Sequence, residues 1–437
     1  MGKQILAETA QIDPKTYNDN AVNRVPENEY KSTFEIAVVT CGFCICMSGL
    51  FTGAAMAAGF TFGQAIAASL LGNVILSAYS GAIGYAGAKE HVATSLLARH
   101  AFGRWGSIII SLVLALTMLG WYSVQVGFFG VTINAMFPGG GFITRVPVAA
   151  FWGGILMLIT AYIGFKGLSL LSKIAVPLIV ILAIVGIVSA VKTQSGWDSI
   201  FSLKPASPMP IGAGIVMVVG SFAAGGAAQP DITRYARTPA AALIGTIIGY
   251  MGSNVFIILA GFITSVATGS GDLPAAMLQL GMGIPSLVVL IAAQWTTNDN
   301  NLYTSSLGFS NIFKIKKSRI VLATGILASI VGAAGLSDFF VNWLIILGIG
   351  CPPMAGVIVA DYFLIRKQRY DFGKGVKYCG WNILAFVSWA VACIVGYAVQ
   401  WGVAAINSMT IGFVLYLLLM KTVGKNNTGM IGVYVEE

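Results

Sequence analysis

The most polar stretch inside a long apolar segment of the chain covers residues 294–301, QWTTNDNN. Asn298 lies midway along that segment, so we expect its side chain to be far from bulk water, where polar groups are costly and usually functional. A carboxamide both donates and accepts hydrogen bonds, which suits the amide-like edge of a heterocycle. The hydroxyl oxygens of Thr296 and Thr297 suit a hard cation. The alternative is that these polar groups only cap a frayed helix end.

Aromatic residues in two further apolar segments suit a flat ligand. Trp121 is followed one helical turn later by Gln125, and Phe222 lies among small residues. Offset stacking of aromatic rings is favourable, so we expect Trp121 and Phe222 to sandwich a flat ring. Apart from Asp299, no Lys, Arg or carboxylate lies clearly near the middle of an apolar segment. A neutral ligand is therefore favoured over an amino acid or a phosphate ester. The alternative is that both rings pack in the core or face lipid.

An acidic residue and two basic residues follow the segment that contains Phe222. Asp231 comes directly after Pro230, and Arg234 and Arg237 follow it. Two interpretations stay open, charge pairing at a membrane interface and a cytoplasmic gate that breaks and reforms during transport.

The composition places these residues in a membrane protein. The 437 residues are 57% hydrophobic and 9% charged, whereas soluble proteins carry about 25% charged residues. The net charge of +9 does not indicate a nucleic-acid partner, because the basic residues form short clusters between apolar stretches rather than one patch. A soluble enzyme and a disordered protein are therefore excluded, and we expect a lipid bilayer around the chain.

Twelve apolar stretches reach the length of about 20 residues that a membrane-spanning helix needs. The sequence therefore predicts an all-α polytopic membrane protein, with residues 89–104 as an amphipathic connection along the inner interface. The predicted spans are residues 34–60, 62–87, 105–136, 146–165, 172–191, 211–229, 239–267, 283–308, 319–335, 338–362, 381–399 and 401–420.

The basic residues indicate the orientation of these spans. With the N-terminus in the cytoplasm, 22 of the 25 Lys and Arg residues fall on the cytoplasmic side, which agrees with the positive-inside rule. We therefore predict a multi-pass protein of the cell inner (plasma) membrane with both termini in the cytoplasm. The predicted units are an N-terminal tail (1–32), a first five-helix repeat (33–195), a second, inverted five-helix repeat (205–365), helices 11 and 12 (378–420) and a C-terminal tail (421–437).

Small residues interrupt the first and sixth spans, around Ser48 and Phe222. Paired interrupted spans in the two halves of a chain are typical of a transporter's substrate site. Ser48 and Phe222 are 174 residues apart, as are Trp121 and Trp295, which favours a duplicated unit. We therefore expect both helices to be broken at these centres, with freed carbonyls that suit a cation and freed amides that suit a polar ligand.

Two other function classes fit the residues less well. Cys41 and Cys44 form a C-x-x-C pair, the motif of redox enzymes, but they lie in an apolar span, and both histidines lie in a loop. A channel needs a continuous polar pore, whereas the polar residues cluster mid-span. We therefore predict a secondary transporter with alternating access rather than an enzyme, with no cofactor and no obligate protein partner.

Four groups of residues carry a family resemblance. They are WTTNDN at 295–300 with Leu302, Tyr303, Gly308 and Phe309; VGSF at 219–222 with Asp231 and Arg234; LAR at 97–99 with Phe102 and Gly103; and Pro352 and Pro353 with Asp361 and Tyr362. With them, the chain from about residue 35 to 420 resembles the nucleobase–cation symporters, in the purine–cytosine permease branch. The resemblance implies a LeuT-like fold of two inverted five-helix repeats plus two further helices, and uptake of a nucleobase with a coupling cation, Na⁺ or H⁺.

The resemblance also implies which residues form the sites. Trp121 and Phe222 would stack on the base, and Asn298 would bind its edge. The predicted substrate-binding residues are Trp121, Phe222, Asn298, Ser221, Cys46, Ala224 and Gln125. The implied sodium site comprises the carbonyls of Gly42, Ile45 and Ala293 and the side chains of Thr296 and Thr297. The gate, which the residue pattern itself predicts, comprises Asp231 and Arg234.

Two positions depart from the family pattern. Met118 stands where the family's cytosine carriers have a base-reading glutamine, and Ala293 stands where they have an asparagine near the sodium site. We therefore predict a nucleobase or related pyrimidine as substrate. A hydroxymethylpyrimidine and an allantoin- or hydantoin-like compound are the alternatives, and both Na⁺ and H⁺ stay open as coupling ions.

Overall fold

The computed structural model describes residues 24–163, 165–194, 196–202, 204–269, 272–313, 315, 317–372, 376–399, 401–424 and 433–435. Residues 1–23 of the predicted N-terminal tail and residues 425–432 and 436–437 of the predicted C-terminal tail lie outside these ranges.

The described chain is almost entirely helical, and helices lie at each of the predicted spans. A small antiparallel sheet pairs β1 (Val376–Tyr378) with β2 (Val433–Val435). The helices are α1 (Thr33–Cys44), α2 (Met47–Ala57), α3 (Phe62–Glu90), α4 (Thr94–Phe102), α5 (Gly106–Met136), α6 (Val146–Ile163), α7 (Phe165–Thr193), α8 (Trp197–Ser202), α9 (Ile211–Ala227), α10 (Pro230–Thr233), α11 (Pro239–Ile248), α12 (Val255–Val266), α13 (Leu273–Gln279), α14 (Gly283–Phe313), α15 (Lys317–Ala333), α16 (Phe340–Ala360), α17 (Ile383–Ala398) and α18 (Ala404–Thr422).

The first predicted span is a broken helix, as expected from its small residues. It begins at a capping box, in which the Ser32 hydroxyl accepts a hydrogen bond from the Glu35 backbone and the Glu35 carboxylate accepts one from the Ser32 backbone. Ile45 and Cys46 separate α1 from α2. The two pieces are bent by 51° relative to each other.

The sixth predicted span differs from the expectation of a break beside Phe222. α9 is unbroken and includes Phe222, and the interruption comes later, at Ala228 and Gln229. The small residues of α9 serve close packing instead. A Cβ at Gly220 would lie 1.8 Å from the carbonyl oxygen of Leu344 on α16, so this glycine lets the two helices touch. The prediction of a second mid-span break is therefore wrong for this structure.

The helices pack in two groups that lie opposite each other. The scaffold group, α5, α6, α14 and α15, encloses its own apolar core, which includes Tyr122, Leu158 and Leu302. The bundle group consists of α1, α2, α3, α9, α11 and α12, with α16 packed on α9. α7 contacts α14 of the scaffold and α12 of the bundle. This arrangement places α1, α2 and α9 opposite α5 and α14.

The outer surface of the described helices fits a lipid environment. Six helices are long and apolar enough to cross a membrane, and the bent α1–α2 pair makes a seventh within the described ranges. Four further apolar helices, α6, α9, α15 and α17, are shorter. Large apolar side chains such as Ile159, Leu327 and Ile394 are exposed, which is expected where a helix faces lipid. The number of twelve spans stays a prediction.

Candidate functional site

A cavity of about 390 Å³ lies between the scaffold group and the bundle group. No charged side chain is among the described residues that line it. The lining residues are Gly42, Phe43, Ile45, Cys46, Ser48, Met118, Trp121, Gln125, Val176, Ile179, Ser221, Phe222, Gly225, Thr296, Thr297, Asn300, Asn301 and Thr304.

The break between α1 and α2 leaves two main-chain carbonyls without their usual helical partners. The Cys46 amide donates to the Cys44 carbonyl rather than to Gly42, and the Gly49 amide donates to the Cys46 carbonyl rather than to Ile45. Gly42 and Ile45 both line the cavity. Carbonyls freed at a mid-membrane break suit a cation. They are the two carbonyls next to the break that the family resemblance implies for a sodium site.

α14 adds two hydroxyl groups to this set. The side chains of Thr296 and Thr297 donate to the carbonyl of Ala293 over 2.9 and 3.0 Å. Each hydroxyl oxygen keeps lone pairs that can accept from a cation, and both threonines line the cavity. Four of the five predicted cation ligands therefore meet at one cavity as neutral oxygen donors, a chemistry that fits a hard cation.

The two aromatic residues predicted to stack on a ligand both line the cavity. Phe340 and Trp343 meet Trp121 nearly at right angles, with ring centroids 6.1 and 6.3 Å away. Tyr250 meets Phe222 in the same way at 5.7 Å. These contacts hold both rings in fixed orientations, as a rigid stacking site requires.

Gln125 supplies an unpaired polar group beside these rings. Its side chain is 1% exposed and lines the cavity, and its Oε1 has no hydrogen-bond partner in the described part of the chain. A buried amide oxygen without a partner costs free energy, so this atom suits a ligand N–H. Ser221 also lines the cavity, with its hydroxyl donating to Val218 over 2.7 Å. The Cys46 thiol lies 2.9 Å from the Ser48 hydroxyl.

Asn298 lies on a different face of α14 from the cavity. Its Nδ2 donates to the carbonyl of Tyr122 over 3.2 Å and lies 3.3 Å from the Met157 sulfur. Successive residues of an α-helix are rotated by about 100°, so when Thr297 faces the cavity, Asn298 faces α5 and α6. The structure therefore does not bring Asn298 to the predicted ligand site.

Comparison with known proteins adds to this geometry. The family described as "Permease for cytosine/purines, uracil, thiamine, allantoin" matches residues 24–419. The chain belongs to this family. The family resemblance predicted from the sequence is thereby confirmed.

Three similar proteins and structures illustrate the relationship of this permease to its family. Cytosine permease of Escherichia coli K12 is 31% identical over 411 residues, which cover 94% of this chain and 96% of that protein. The nucleobase–cation-symport-1 family transporter Mhp1, solved in a closed conformation with bromovinylhydantoin bound, is 18% identical with a TM-score of 0.77, covering 94% and 96% of the two chains. Its inward-facing structure is 20% identical with a TM-score of 0.80, covering 92% and 93%. The described helices therefore have the fold of a membrane transporter.

Two alanines predicted to belong to the sites of the permease lie just outside the cavity lining. Ala224 and Ala293 are buried, and Gly225 takes the lining position next to Ala224. The Ala224 carbonyl accepts from the Ala228 amide over 2.9 Å, and the Ala293 carbonyl accepts from both threonines. Both carbonyls are thus occupied by groups of the chain itself.

Three polar residues that line the cavity of the permease are absent from the sequence prediction. Asn300, Asn301 and Thr304 continue the face of α14 that begins at Thr297. They follow Thr297 by three, four and seven residues, the spacing of one helix face. That spacing could have identified them.

Asp299 lies away from the cavity. It is 1% exposed, and its Oδ1 accepts a hydrogen bond from the Thr160 hydroxyl over 2.7 Å. The Thr160 oxygen in turn accepts from the Trp295 ring N–H over 2.8 Å. The carboxyl group therefore belongs to the contact between α14 and α6, and the cavity of the permease remains uncharged.

The predicted gate residues lie where α9 and α10 end. The Asp231 carboxylate accepts from the Thr94 amide at the start of α4 over 2.9 Å. The Arg234 side chain donates to the Asp231 carbonyl over 3.2 Å and lies over the ring of Tyr235. Asp231 therefore connects α10 to α4, the short helix that precedes α5. Its role as a gate stays a prediction.

Proposed function

We propose that this chain is a secondary active transporter that imports a nucleobase, or a related purine or pyrimidine, together with a cation. The observation that carries the proposal is the uncharged cavity lined by Trp121, Phe222 and Gln125, whose Oε1 has no hydrogen-bond partner in the described part of the chain. Two held aromatic rings suit a planar heterocycle, and an amide oxygen suits a ring N–H. Membership of a permease family supports transport rather than catalysis.

Met118 supports a second class of substrate. Its thioether lines the cavity and cannot donate a hydrogen bond. Among the residues of α5 that line the cavity, Gln125 therefore carries the side-chain amide that can recognise the edge of a base. The Mhp1 structure with bromovinylhydantoin bound also has this fold. A hydroxymethylpyrimidine and an allantoin- or hydantoin-like compound are therefore the alternative substrates.

The proposed coupling ion is Na⁺, held by oxygen atoms at the break after α1 and on α14. The carbonyls of Gly42 and Ile45 and the hydroxyls of Thr296 and Thr297 would supply the ligands, and the Ala293 carbonyl would join them when a threonine hydroxyl rotates away. All of these donors are uncharged, which suits a monovalent ion. Proton coupling is the alternative, because the methyl group of Ala293 adds no side-chain oxygen.

The proposed arrangement has twelve spans in the inner (plasma) membrane and both termini in the cytoplasm. The excess of basic residues on one side of the predicted spans supports this orientation. Two inverted five-helix repeats, 33–195 and 205–365, would place the cavity between them. Alternating access would then follow from movement of the bundle group against the scaffold group.

Uptake into proteoliposomes tests the proposal. Purified protein would receive radiolabelled cytosine, uracil, allantoin or hydantoin under an inward Na⁺ gradient or an inward proton gradient. We expect saturable uptake of one of these rings under one of the gradients. Gln125→Ala and Trp121→Ala would weaken binding about tenfold or more, because each removes a direct ligand contact.

The matched control is Trp401→Ala, which removes an indole from an exposed connection outside the cavity. This variant would transport like the wild type. The proposal would be overturned if no ring entered under either gradient and none changed the thermal stability of the wild type more than that of Gln125→Ala.

A further inference from the structure

The cavity continues well past the proposed substrate site. Thr297 and Thr304 both line the cavity, and Thr304 lies seven residues further along α14, which is about 10 Å at the helical rise of 1.5 Å per residue. The residues after α14 include Lys314, Lys316 and Lys317. Positive charges mark the cytoplasmic side, so the extension points toward the cytoplasm.

The volume of the cavity exceeds the need of one ligand. A water molecule's share of liquid volume is about 30 Å³, so eight waters occupy about 240 Å³, and a ring compound of eight covalently bonded heavy atoms occupies less than that. The cavity has about 390 Å³. It therefore leaves at least about 150 Å³ beyond the space of one such ring.

Polar side chains in the extension are presented to the cavity rather than buried. Asn300 and Thr304 are exposed and Asn301 is half-buried, although all three lie on a membrane helix. The Asn300 Nδ2 donates to the Thr296 carbonyl over 3.1 Å, which leaves its Oδ1 free to accept. Polar groups in a span are costly unless they face water or a ligand. These polar groups line the cavity, where they can contact water or a ligand.

A further aromatic ring lines the same cavity, next to Phe222. Phe43, at the end of α1, lines the cavity and is 41% exposed. Its ring meets Phe222 at 86° with a centroid distance of 5.1 Å. Val176 and Ile179 of α7 supply apolar wall. An aromatic ring, carboxamides and a hydroxyl thus repeat the chemistry of Trp121, Gln125 and Ser221.

We propose that Phe43, Asn300, Asn301 and Thr304 form a second binding subsite, which receives the same neutral heterocycle on its way to the cytoplasm. The subsite rests on the proposed function, because it takes the ligand of that site. A base that leaves the two stacking rings exchanges its hydrogen bonds for those of the α14 amides. The ligand is released in two steps and does not have to lose all its contacts at once.

Counting bound ligand tests the subsite. Purified wild-type protein would be saturated with radiolabelled cytosine and, in a parallel series, hydantoin, at concentrations up to the millimolar range. We expect two ligands per chain, one tight and one weak. Asn300→Ala combined with Thr304→Val would bind one ligand with an affinity for the tight site within about twofold of wild type. The double variant would release the ligand from preloaded proteoliposomes about three- to tenfold more slowly than the wild type, which is the effect of a lost hydrogen bond.

Phe43→Ala is a second test that leaves the polar groups of α14 in place, and it would also reduce the count to one. The matched controls are Phe34→Ala, on the same helix and outside the cavity lining, and Asn134→Ala, an exposed asparagine. Both would keep two ligands. Retention of the tight ligand shows that a variant is folded.

The outcomes separate the subsite from the primary function. One ligand per wild-type chain, or simultaneous loss of both ligands in the Asn300→Ala/Thr304→Val variant, would overturn the subsite while leaving the transporter intact. Binding of neither ring to the wild type would instead overturn the proposed function.

Discussion

Phe51 of α2 and Phe128 of α5 stack face to face, with ring centroids 3.9 Å apart and 8° between their planes. One helical turn before them, Ser48 and Gln125 line the ligand cavity. Both phenylalanines also line a second cavity of about 270 Å³, together with Asp272. The stacked pair therefore separates the two cavities and joins the bundle group to the scaffold group.

Replacing Phe51 by alanine should open a path between the two cavities. A stacked aromatic pair contributes about 0.5–1.5 kcal/mol, so the closed arrangement loses that stability. Cys46, which lines the ligand cavity, should then react about three- to tenfold faster with a bulky, membrane-impermeant thiol reagent added on the side of the second cavity. Labelling that persists in a Cys46→Ser background measures the reaction of the other cysteines and is subtracted. Phe142→Ala removes an exposed ring as a control. Equal rates in the two phenylalanine variants would contradict the barrier.

A methyl group at Gly53 should destabilise the fold. A Cβ there would lie 1.9 Å from the carbonyl oxygen of Ile258, so α2 and α12 would have to separate. Overpacking of this kind costs about 1–3 kcal/mol. We expect a lower denaturation temperature in detergent for Gly53→Ala. Gly63→Ala is the matched control, because nothing lies within 4 Å of its Cβ position. The same loss in both variants would show that the helix crossing is not responsible.

The sequence predicts helix positions well but does not determine what small residues do. Apolar runs of about 20 residues locate the helices because a membrane leaves the backbone few alternatives. Small residues around Ser48 accompany a break, whereas those around Phe222 allow α9 to touch α16 at Gly220. Both uses need the same composition, so the sequence alone cannot separate a broken helix from a close crossing.

The sequence predicts the chemistry of the candidate site but not the rotation of α14 about its axis. Trp121, Gln125 and Thr297 line the cavity as expected. Thr297 and Asn301 are four residues apart, share one face of α14 and line the cavity. Asn298 is rotated by about 100° from Thr297 and donates to Tyr122 of α5 instead. Amides at several neighbouring positions cover most of a helix face, so the orientation of α14 depends on packing against α5 and α6.

Acid should destabilise the protein through His100. Burial lowers the pKa of His100 from 6.5 to about 4, because the imidazolium loses its hydration, and Arg366 acts in the same direction. The pKa in the folded state is below that in the unfolded state, so the unfolded chain binds the proton more tightly. Stability is therefore complete above about pH 6.5 and falls as the pH drops toward 4, by a total of about 3 kcal/mol.

The denaturation temperature between pH 7 and pH 5 measures this dependence. His100→Phe keeps a ring beside Tyr370, which stacks on His100 with centroids 3.9 Å apart, and removes the titrating group. We expect a flatter pH profile for this variant than for the wild type. His91→Phe, which leaves His100 in place, should retain the steeper profile. Identical slopes for the two variants would rule His100 out as the cause.

Removing one hydroxyl oxygen should weaken the cation site without disturbing the fold. Thr297→Val keeps the volume of the side chain and deletes the oxygen that donates to Ala293. We expect a roughly tenfold higher Na⁺ concentration for half-maximal uptake, because one of a few oxygen ligands is lost. Thr132→Val, on α5 and outside the cavity lining, is the control. Unchanged Na⁺ dependence in Thr297→Val, together with uptake that follows a proton gradient, would favour H⁺ as the coupling ion.

The contact between Asp231 and Thr94 can distinguish a gate from interface charge pairing. The Asp231 carboxylate accepts from the first amide of α4, so Asp231→Ala should lose about 1 kcal/mol of stability, as for a removed helix cap. Asp231→Asn keeps an oxygen acceptor and should lose less.

If the contact opens and closes during transport, Asp231→Ala should change the ratio of net uptake to exchange about threefold or more, while the affinity for the heterocycle stays the same. If the residue only pairs charges at the interface, neither variant should alter that ratio. Comparison of the two variants in thermal denaturation, uptake and exchange therefore decides between the two roles, because only a moving contact links the first turn of α4 to the transport cycle.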